Sequence, residues 1–263
     1  MTIETLVVTT GQHDHSLLKT MNIQTDAIIG NQCDKNEIEK FSYNDKNVKW
    51  LSLCEKGVGL NRNNVLMRST ADICVFADDD MVFHDGYEDI VKKAFDEHPN
   101  ADIIIFNLDT DSDKYEYTNT KAVKINHCNY GRYGAARIAF RRRSIFMAGI
   151  CFNLMFGGGA EYSSGEDSIF LYNCLQKKLN IVAVPVSIST LTSRRESTWF
   201  MGYNDKFFFD KGVLYFQLYH RFAGVVALYN CIRHKNGRYK DYGWKYAYKK
   251  MLEGIKGARI NER

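Results

Sequence analysis

The sequence predicts an α/β protein, a mainly parallel sheet flanked by helices, followed by a helical extension. Three observations carry that expectation. From Ile3 to Ile188 short apolar runs alternate with longer stretches of helical periodicity. Hydrophobic residues make up 45% and charged residues 25% of the 263, the balance of an ordinary globular chain and not of a disordered one. The chain has only two prolines, Pro99 and Pro185, and no Ser/Gly-rich tract or internal repeat, so nothing marks a tether between independent domains. The expected division is one α/β domain over 1–210 and a basic, aromatic helical extension over 211–263.

Taken in order, Ile3–Thr10 (IETLVVTT) reads as the first strand, Asp26–Ile29 as the second, Val48–Leu53 as the third and Ile73–Ala77 (ICVFA) as the fourth. Asn61–Ser69, with Val65, Leu66 and the aliphatic part of Met67, suits a crossover helix before that fourth strand. Glu88–Glu97 is a helix because Ile90, Val91, Ala94 and Phe95 share a face, and Pro99 stops it. Asp102–Leu108 has the near-continuous apolar run of a buried strand. Arg137–Phe140 is strand-like and leads into a basic turn, Arg141–Arg143. A glycine cluster, Gly157–Gly159, then precedes Ser164-Gly165-Glu166-Asp167 and a helix to about Lys178, and Ile181–Ile188 is the last strand. Open sheets of this kind bind ligands at the carboxyl ends of their strands, so the residues just after each strand are the ones to inspect.

Charge divides the chain more sharply than its net +4 implies. From Lys211 onward seven Lys and five Arg face three acidic residues, a net of +9, which leaves the first 210 residues at −5. Seven widely spaced cysteines, none at zinc spacing, suit a reducing cytoplasm better than a disulfide framework. Met1–Gln12 lacks the basic start and long apolar run of a signal peptide. Gly212–Ile232, the longest apolar stretch, carries His220 and Arg221 at its middle, which argues against a membrane-spanning helix. A cytoplasmic location is therefore expected.

Asp78, Asp79 and Asp80 follow directly on the apolar run Ile73–Ala77. Three adjacent carboxylates repel one another unless a cation or firm hydrogen bonds compensate, and hard divalent cations take oxygen ligands. Side-chain alternation puts Asp78 and Asp80 on one side and Asp79 on the other. A solvated acidic turn is the competing reading, and the position at a strand's carboxyl end favours a site.

The run EKGVGLNRNNVLMRSTADICVFADDDMVF resembles the donor-binding half of family 2 glycosyltransferases with a GT-A fold, of the bacterial polysaccharide type. The resemblance rests on the ordered set of Gly57, Gly59, Arg62, Asn63 and an Asp-x-Asp formed by Asp78 and Asp80. It implies that Gly57, Arg62, Asn63, Asp78 and Asp79 belong to the donor site. It also implies that Asp80, with Asp78, binds a divalent metal, manganese or magnesium, bridging the two donor phosphates. Thr9 and Thr10 sit where the family contacts the base, and Asn31 where it contacts the nucleoside. The first loop, Gly11-Gln12-His13-Asp14-His15, departs from the family's Tyr-Asn type of sequence; its two histidines read as exposed loop residues, since no third ligand is near in sequence.

Inverting transfer needs a general base for the acceptor hydroxyl on the face opposite the leaving phosphate. The resemblance assigns that base to Asp167 in SSGEDSIFLYNCLQKKLNI, with Glu166 orienting the acceptor or the base. Acidic residues in a first helical turn also complement the helix dipole, which is the competing explanation. ESTWF at Glu196–Phe200, with Lys211-Gly212 beyond it, resembles a loop that closes over the donor, where Trp199 would stack on a sugar and Arg194 or Arg195 would meet the diphosphate. A packed aromatic and surface charges are equally consistent with those three residues.

The expected function is thus metal-dependent, inverting transfer from a nucleotide-sugar, UDP-linked, to a glycan or lipid-linked glycan in cell-surface polysaccharide synthesis. For the extension, basic and aromatic residues together point to an anionic membrane surface, peripheral on the inner face, with packing on the core the competing reading; no nucleic-acid motif is present. A sugar nucleotidyltransferase is the alternative enzyme, but it needs a Gly-rich basic loop after the first strand, which Gly11–His15 does not supply. A non-catalytic nucleotide-sugar or glycan-binding module is the other alternative, and the presence of both Asp80 and Asp167 counts against it.

Overall fold

The computed structural model describes residues 1–110, 117–192 and 202–261. The first strand, β1 (Ile3–Thr10), matches its expected span, and its parallel neighbours are β2 (Asp26–Gln32) on one side and β5 (Ile73–Asp78) on the other. Beyond β2 lie β4 (Lys46–Leu53), parallel to it, and β3 (Glu37–Tyr43), antiparallel at the edge. The sequence reading omits β3, whose side chains are exposed or half-buried along its length and so lack an apolar signature. Asn44 and Asp45, both at positive φ (47° and 61°), make the two-residue turn that pairs it with β4.

Past β5 the sheet continues through β9 (Ile138–Arg141), antiparallel to both neighbours, to β7 (Ile103–Thr110), then β10 (Ile181–Leu191) and a three-residue edge strand, β6 (Met81–Phe83). A short β8 (Val123–Lys124) also pairs β10. Pro185 sits inside β10 where the register with β7 slips between Ala183 and Ser187, as expected of a residue that cannot donate to the ladder. The turn expected at Arg141–Arg143 is instead the entry to a helix, α4 (Arg142–Ala148).

Because the central strands are buried on both faces, alternate residues build two cores. One face packs Val7, Ile29, Val75 and Phe106 against α1 (Leu17–Thr20) and α3 (Tyr87–Glu97). The other packs Leu6, Ile28, Phe76 and Ile105 against α2 (Val58–Met67) and α5 (Glu166–Gln176) through Val65, Leu66, Phe170 and Leu171. Met67, expected to help cover the sheet, is exposed.

The C-terminal part is helical: α6 (Asp205–Tyr219), α7 (Ala223–His234) and α8 (Trp244–Asn261). The boundary expected at 210 falls inside α6. Helices α6 and α8 cross with their backbones in contact, since a Cβ on Gly212 would lie 2.0 Å from the Met251 carbonyl oxygen and one on Gly254 2.1 Å from that of Phe209. The helices share a cluster with the sheet domain through Val213, Leu214 and Leu218 against Phe156 and Ile169. Among the described residues no helix is long and apolar enough to cross a membrane, and all seven cysteines are unpaired.

Candidate active site

Sheet register brings the strand ends into one row. Thr9 is level with Asn31, and Val8 with Asp78, so the carboxyl ends of β1, β2 and β5 open onto the same edge. Thr9 donates its hydroxyl to Asp79 Oδ2 at 2.5 Å and accepts from Gln12 Nε2 at 2.9 Å. Asn31 is buried and spends its amide on the Gln12 backbone, accepting from its N–H (3.0 Å) and donating to its carbonyl (2.9 Å). Its work is to fold the first loop back over the sheet edge. Thr10 ends β1 exposed.

At the centre of the site is Arg62, on α2, only 3% exposed. One terminal nitrogen donates to Asp78 Oδ1 at 2.8 Å. The other donates to Asp167 Oδ1 at 2.8 Å and to Glu166 Oε1 at 3.0 Å. A single guanidinium therefore joins the end of β5 to the first turn of α5, whose carboxylates lie more than a hundred positions beyond Arg62 in the sequence. Burial works against its charge, but Asp78, Asp167 and Glu166 outweigh that and raise its pKa, so it stays a cation. Through its two terminal nitrogens Arg62 holds the three carboxylates together.

The glycines before α5 make room for this arrangement. At Gly157 φ is +103°, and a Cβ there would lie 2.7 Å from Val58 Cγ1 and 2.8 Å from Glu166 Cδ. At Gly165, φ +124°, a Cβ would strike Leu214 of α6 at 2.6 Å. The Gly165 N–H donates to Glu166 Oε2 at 3.1 Å, completing that carboxylate's contacts. Asp167 also accepts from the Ala135 backbone N–H. Burial, then repulsion from Glu166, pushes the Asp167 carboxyl up to about 7, against the pull of Arg62. A carboxylate so placed titrates near neutrality, the range in which a general base is most effective.

The neighbours of Arg62 on α2 point elsewhere. Asn63 clasps the Phe152 backbone, accepting from its N–H (2.8 Å) and donating to its carbonyl (3.0 Å). Asn61, not singled out by the sequence, is buried and donates to the carbonyls of Gly30 (2.8 Å) and Thr9 (3.3 Å), tying α2 to the ends of β2 and β1. The signal was the run Asn61-Arg62-Asn63-Asn64, an unusual density of asparagine for a helix interior. Gly57, at φ 115°, caps α2, and its carbonyl accepts from Gln32 Nε2 at 3.1 Å.

Asp79 and Asp80 form the turn between β5 and β6, and the Asp80 carbonyl accepts from the Thr192 N–H (2.8 Å) and hydroxyl (3.0 Å) at the end of β10. Among the described residues no three His, Cys, Asp or Glu side chains form a closed metal cage. The carboxylates nonetheless suit a hard cation. Among the described residues Asp78, Glu166 and Asp167 all pair with one guanidinium, that of Arg62, so this carboxylate group outnumbers its shared cation. Magnesium and manganese draw one or two carboxylates from the protein and the rest of their shell from phosphate and water. His15 corrects its expectation as an exposed loop residue: it stacks on Phe41 (4.4 Å) and lies 4.7 Å from Trp50, ring to ring, against the β3–β4 hairpin. Arg194, Arg195 and Trp199 lie outside the described residues.

Residues 31–157 match the family model of glycosyl transferase family 2, a span that includes Gly57, Arg62, Asn63 and Asp78–Asp80 and ends before Glu166. The fold matches residues 1–349 of S. aureus TarS in complex with UDP-GlcNAc, at 14% identity and TM-score 0.64, over 92% of this chain and 74% of that one. The same TarS fragment in complex with UDP matches at TM-score 0.61 over the same shares, again at 14% identity. S. aureus TarS in a longer form matches at 13% identity and TM-score 0.62, over 92% of this chain and 45% of that one. No curated protein matches the sequence. At these identities the structural likeness carries the GT-A fold.

Proposed function

We propose, from the premise that the chain is a family 2 glycosyltransferase with a GT-A fold, that it performs inverting, metal-dependent transfer of a sugar from a UDP-sugar. The acceptor is a hydroxyl of a glycan or lipid-linked glycan in cell-surface polysaccharide synthesis. The observation that carries the reading is the Arg62 bridge, which couples the donor-side Asp78 to the Glu166–Asp167 pair across the strand-end cleft. The structures of S. aureus TarS with UDP-GlcNAc and UDP favour a uridine diphosphate donor.

In this reading Asp167 accepts the proton of the acceptor hydroxyl. The acceptor oxygen forms a bond to the anomeric carbon as the bond from that carbon to the diphosphate oxygen breaks, and the diphosphate leaves with the electron pair. Arg62 fixes one oxygen of Asp167, and Glu166, held by Arg62 and the Gly165 N–H, keeps the base's pKa raised. Asp80 with Asp78 would hold manganese or magnesium, whose charge stabilises a departing diphosphate. Thr9 and Asp79, bonded to each other, form the floor beside the nucleoside. The place of action is the cytoplasmic side, with the extension against the inner membrane face.

Thermal-shift measurements with nucleotide-sugars, with and without manganese, test the donor assignment. The expected result is manganese-dependent stabilisation by one nucleotide class, lost in Asp80→Ala. No shift with any nucleotide overturns the reading.

A further inference from the structure

The charge and aromatic content of the extension are arranged on α7 in a particular way. That helix buries Ala223, Ala227 and Cys231, at i, i+4 and i+8, against the rest of the extension. At about 100° per residue, Val225, Tyr229 and Ile232 fall on the opposite side, and Phe222, just before the helix, continues their line. These four are 69%, 63%, 47% and 56% exposed respectively. They make an apolar strip along a 12-residue helix, roughly 18 Å long, turned away from the protein.

Arg221 and Arg233 are exposed and border the strip, each about 120° from the buried stripe on either side. The Arg221 guanidinium lies 5.0 Å from the Phe222 ring centroid. Exposed Lys235, Arg238 and Lys240 follow in the turn after α7. From Lys211 to Lys240 the chain carries six Lys or Arg and no Asp or Glu. A second copy docking through this face would set those cations against one another. An anionic bilayer surface complements both features, with phosphates for the cations and the acyl boundary for the apolar side chains.

We propose that α7 lies in the plane of an anionic membrane, seating Phe222, Val225, Tyr229 and Ile232 among the lipids and Arg221, Arg233 and Lys235 on headgroup phosphates. This specifies the face behind the membrane contact placed on the extension above, and it does not depend on the donor or the acceptor. The helix is too short to span a bilayer and has the composition of an interfacial one.

Vesicle co-sedimentation of the full chain tests it, with phosphatidylcholine alone against phosphatidylcholine containing about one third phosphatidylglycerol. The expected result is binding to the anionic vesicles alone. Val225→Asp/Tyr229→Asp and Arg221→Glu/Arg233→Glu should each weaken it by about tenfold or more. Both pairs are solvent-facing, so thermal unfolding and nucleotide-dependent stabilisation stay at wild-type values. Failure of the wild type to bind anionic vesicles, or equal binding by the variants, overturns the proposal. So does a wild-type dimer that Val225→Asp/Tyr229→Asp converts to monomer, which would assign the face to a second copy. Loss of nucleotide stabilisation in the wild type, with vesicle binding intact, strikes the transferase reading and leaves this one standing.

Discussion

Replacing Arg62 by methionine keeps most of the side chain's volume and removes its charge. Three charge-assisted hydrogen bonds of 2.8, 2.8 and 3.0 Å are lost together, and the carboxylates they held are left facing one another with Glu166 only 11% exposed. Breaking a buried ion pair from one side costs about 3–5 kcal/mol, because the remaining charge is uncompensated. For a chain of this size that corresponds to a fall of roughly 6–20 °C in Tm. Arg62 also lowers the pKa of Asp167, so its removal drives that pKa further above about 7. Two readouts follow, both tied to that sign. Protonating Asp167 relieves the repulsion, so the destabilisation is largest at pH 8 and smaller at pH 6. In steady-state transfer, the acid limb of kcat/KM moves to higher pH. Thermal unfolding at the two pH values and a pH profile of kcat/KM check both. A Tm within about 2 °C of wild type at pH 8, or an unmoved acid limb, would refute Arg62 as the organiser of the site.

In the wild type kcat/KM should rise with pH through about 7 and level above it, since the base works ionised. Asp167→Asn should keep nucleotide-dependent stabilisation while transfer falls by about 10²-fold or more; retained turnover removes Asp167 as base. The folded pKa of Asp167 lies above its unfolded value of 3.8, so the stability that its protonated form contributes is lost as pH rises through about 7. Asp167→Asn, which stays neutral, is therefore more stable relative to wild type at pH 8 than at pH 5, as paired denaturation curves would show. Gly157→Ala meets Val58 and Glu166 at a backbone angle that side chains disfavour, and should cost roughly 1–3 kcal/mol in unfolding while lowering kcat further through displaced Glu166. Asn63→Ala leaves the Phe152 N–H and carbonyl without their partner and should cost roughly 2–4 kcal/mol with donor KM unchanged; a raised donor KM would return Asn63 to the donor site.

What was legible in the sequence is what local pattern encodes. Strand β1 matches its expected span because β-branched and aliphatic residues dominate Ile3–Thr10, and all but its last residue are buried. The carboxylates that meet at Arg62, those of Asp78, Glu166 and Asp167, stand out in the sequence because they sit where an apolar run ends or a helix begins. Strand β3 was not, since it is an edge strand held by a turn and by pairing with β4, and the misreading of His15 follows from that omission, because its ring partners lie on that hairpin. The resemblance places Arg62 in the donor site, but its bridge between Asp78 and the Glu166–Asp167 pair was not legible in the sequence. Helical rotation of 100° per residue sends Asn61, Arg62 and Asn63 in three directions, to the strand ends, the carboxylates and the Phe152 backbone. Which of them reaches the site is decided by how α2 and α5 meet across the sheet, and no spacing within either segment records it.

The extension takes part in that meeting. The loop presenting Glu166 and Asp167 is held on one side by α2, where the Val58 N–H donates to the Gly158 carbonyl at 2.8 Å. On the other side stands α6. Its Leu214 fills the space that Gly165 leaves open, and its buried Asp210 accepts from the Ser163 N–H at 2.9 Å. Lys206 ties Asp210 to the Glu161 carbonyl with contacts of 2.8 Å to each, and Tyr219 meets Tyr130, hydroxyl to hydroxyl, at 2.8 Å. The helix that begins the basic part of the chain is thus a wall of the base's pocket, although the sequence divides at that point by charge. Removing the chain from Lys211 onward would take Leu214 and Tyr219 away from α5 and unseat Asp167 together with any membrane contact. Substitutions on the outer face of α7 would separate the proposed membrane docking from catalysis, because that face lies on the far side of the small-residue stripe from everything that holds the base.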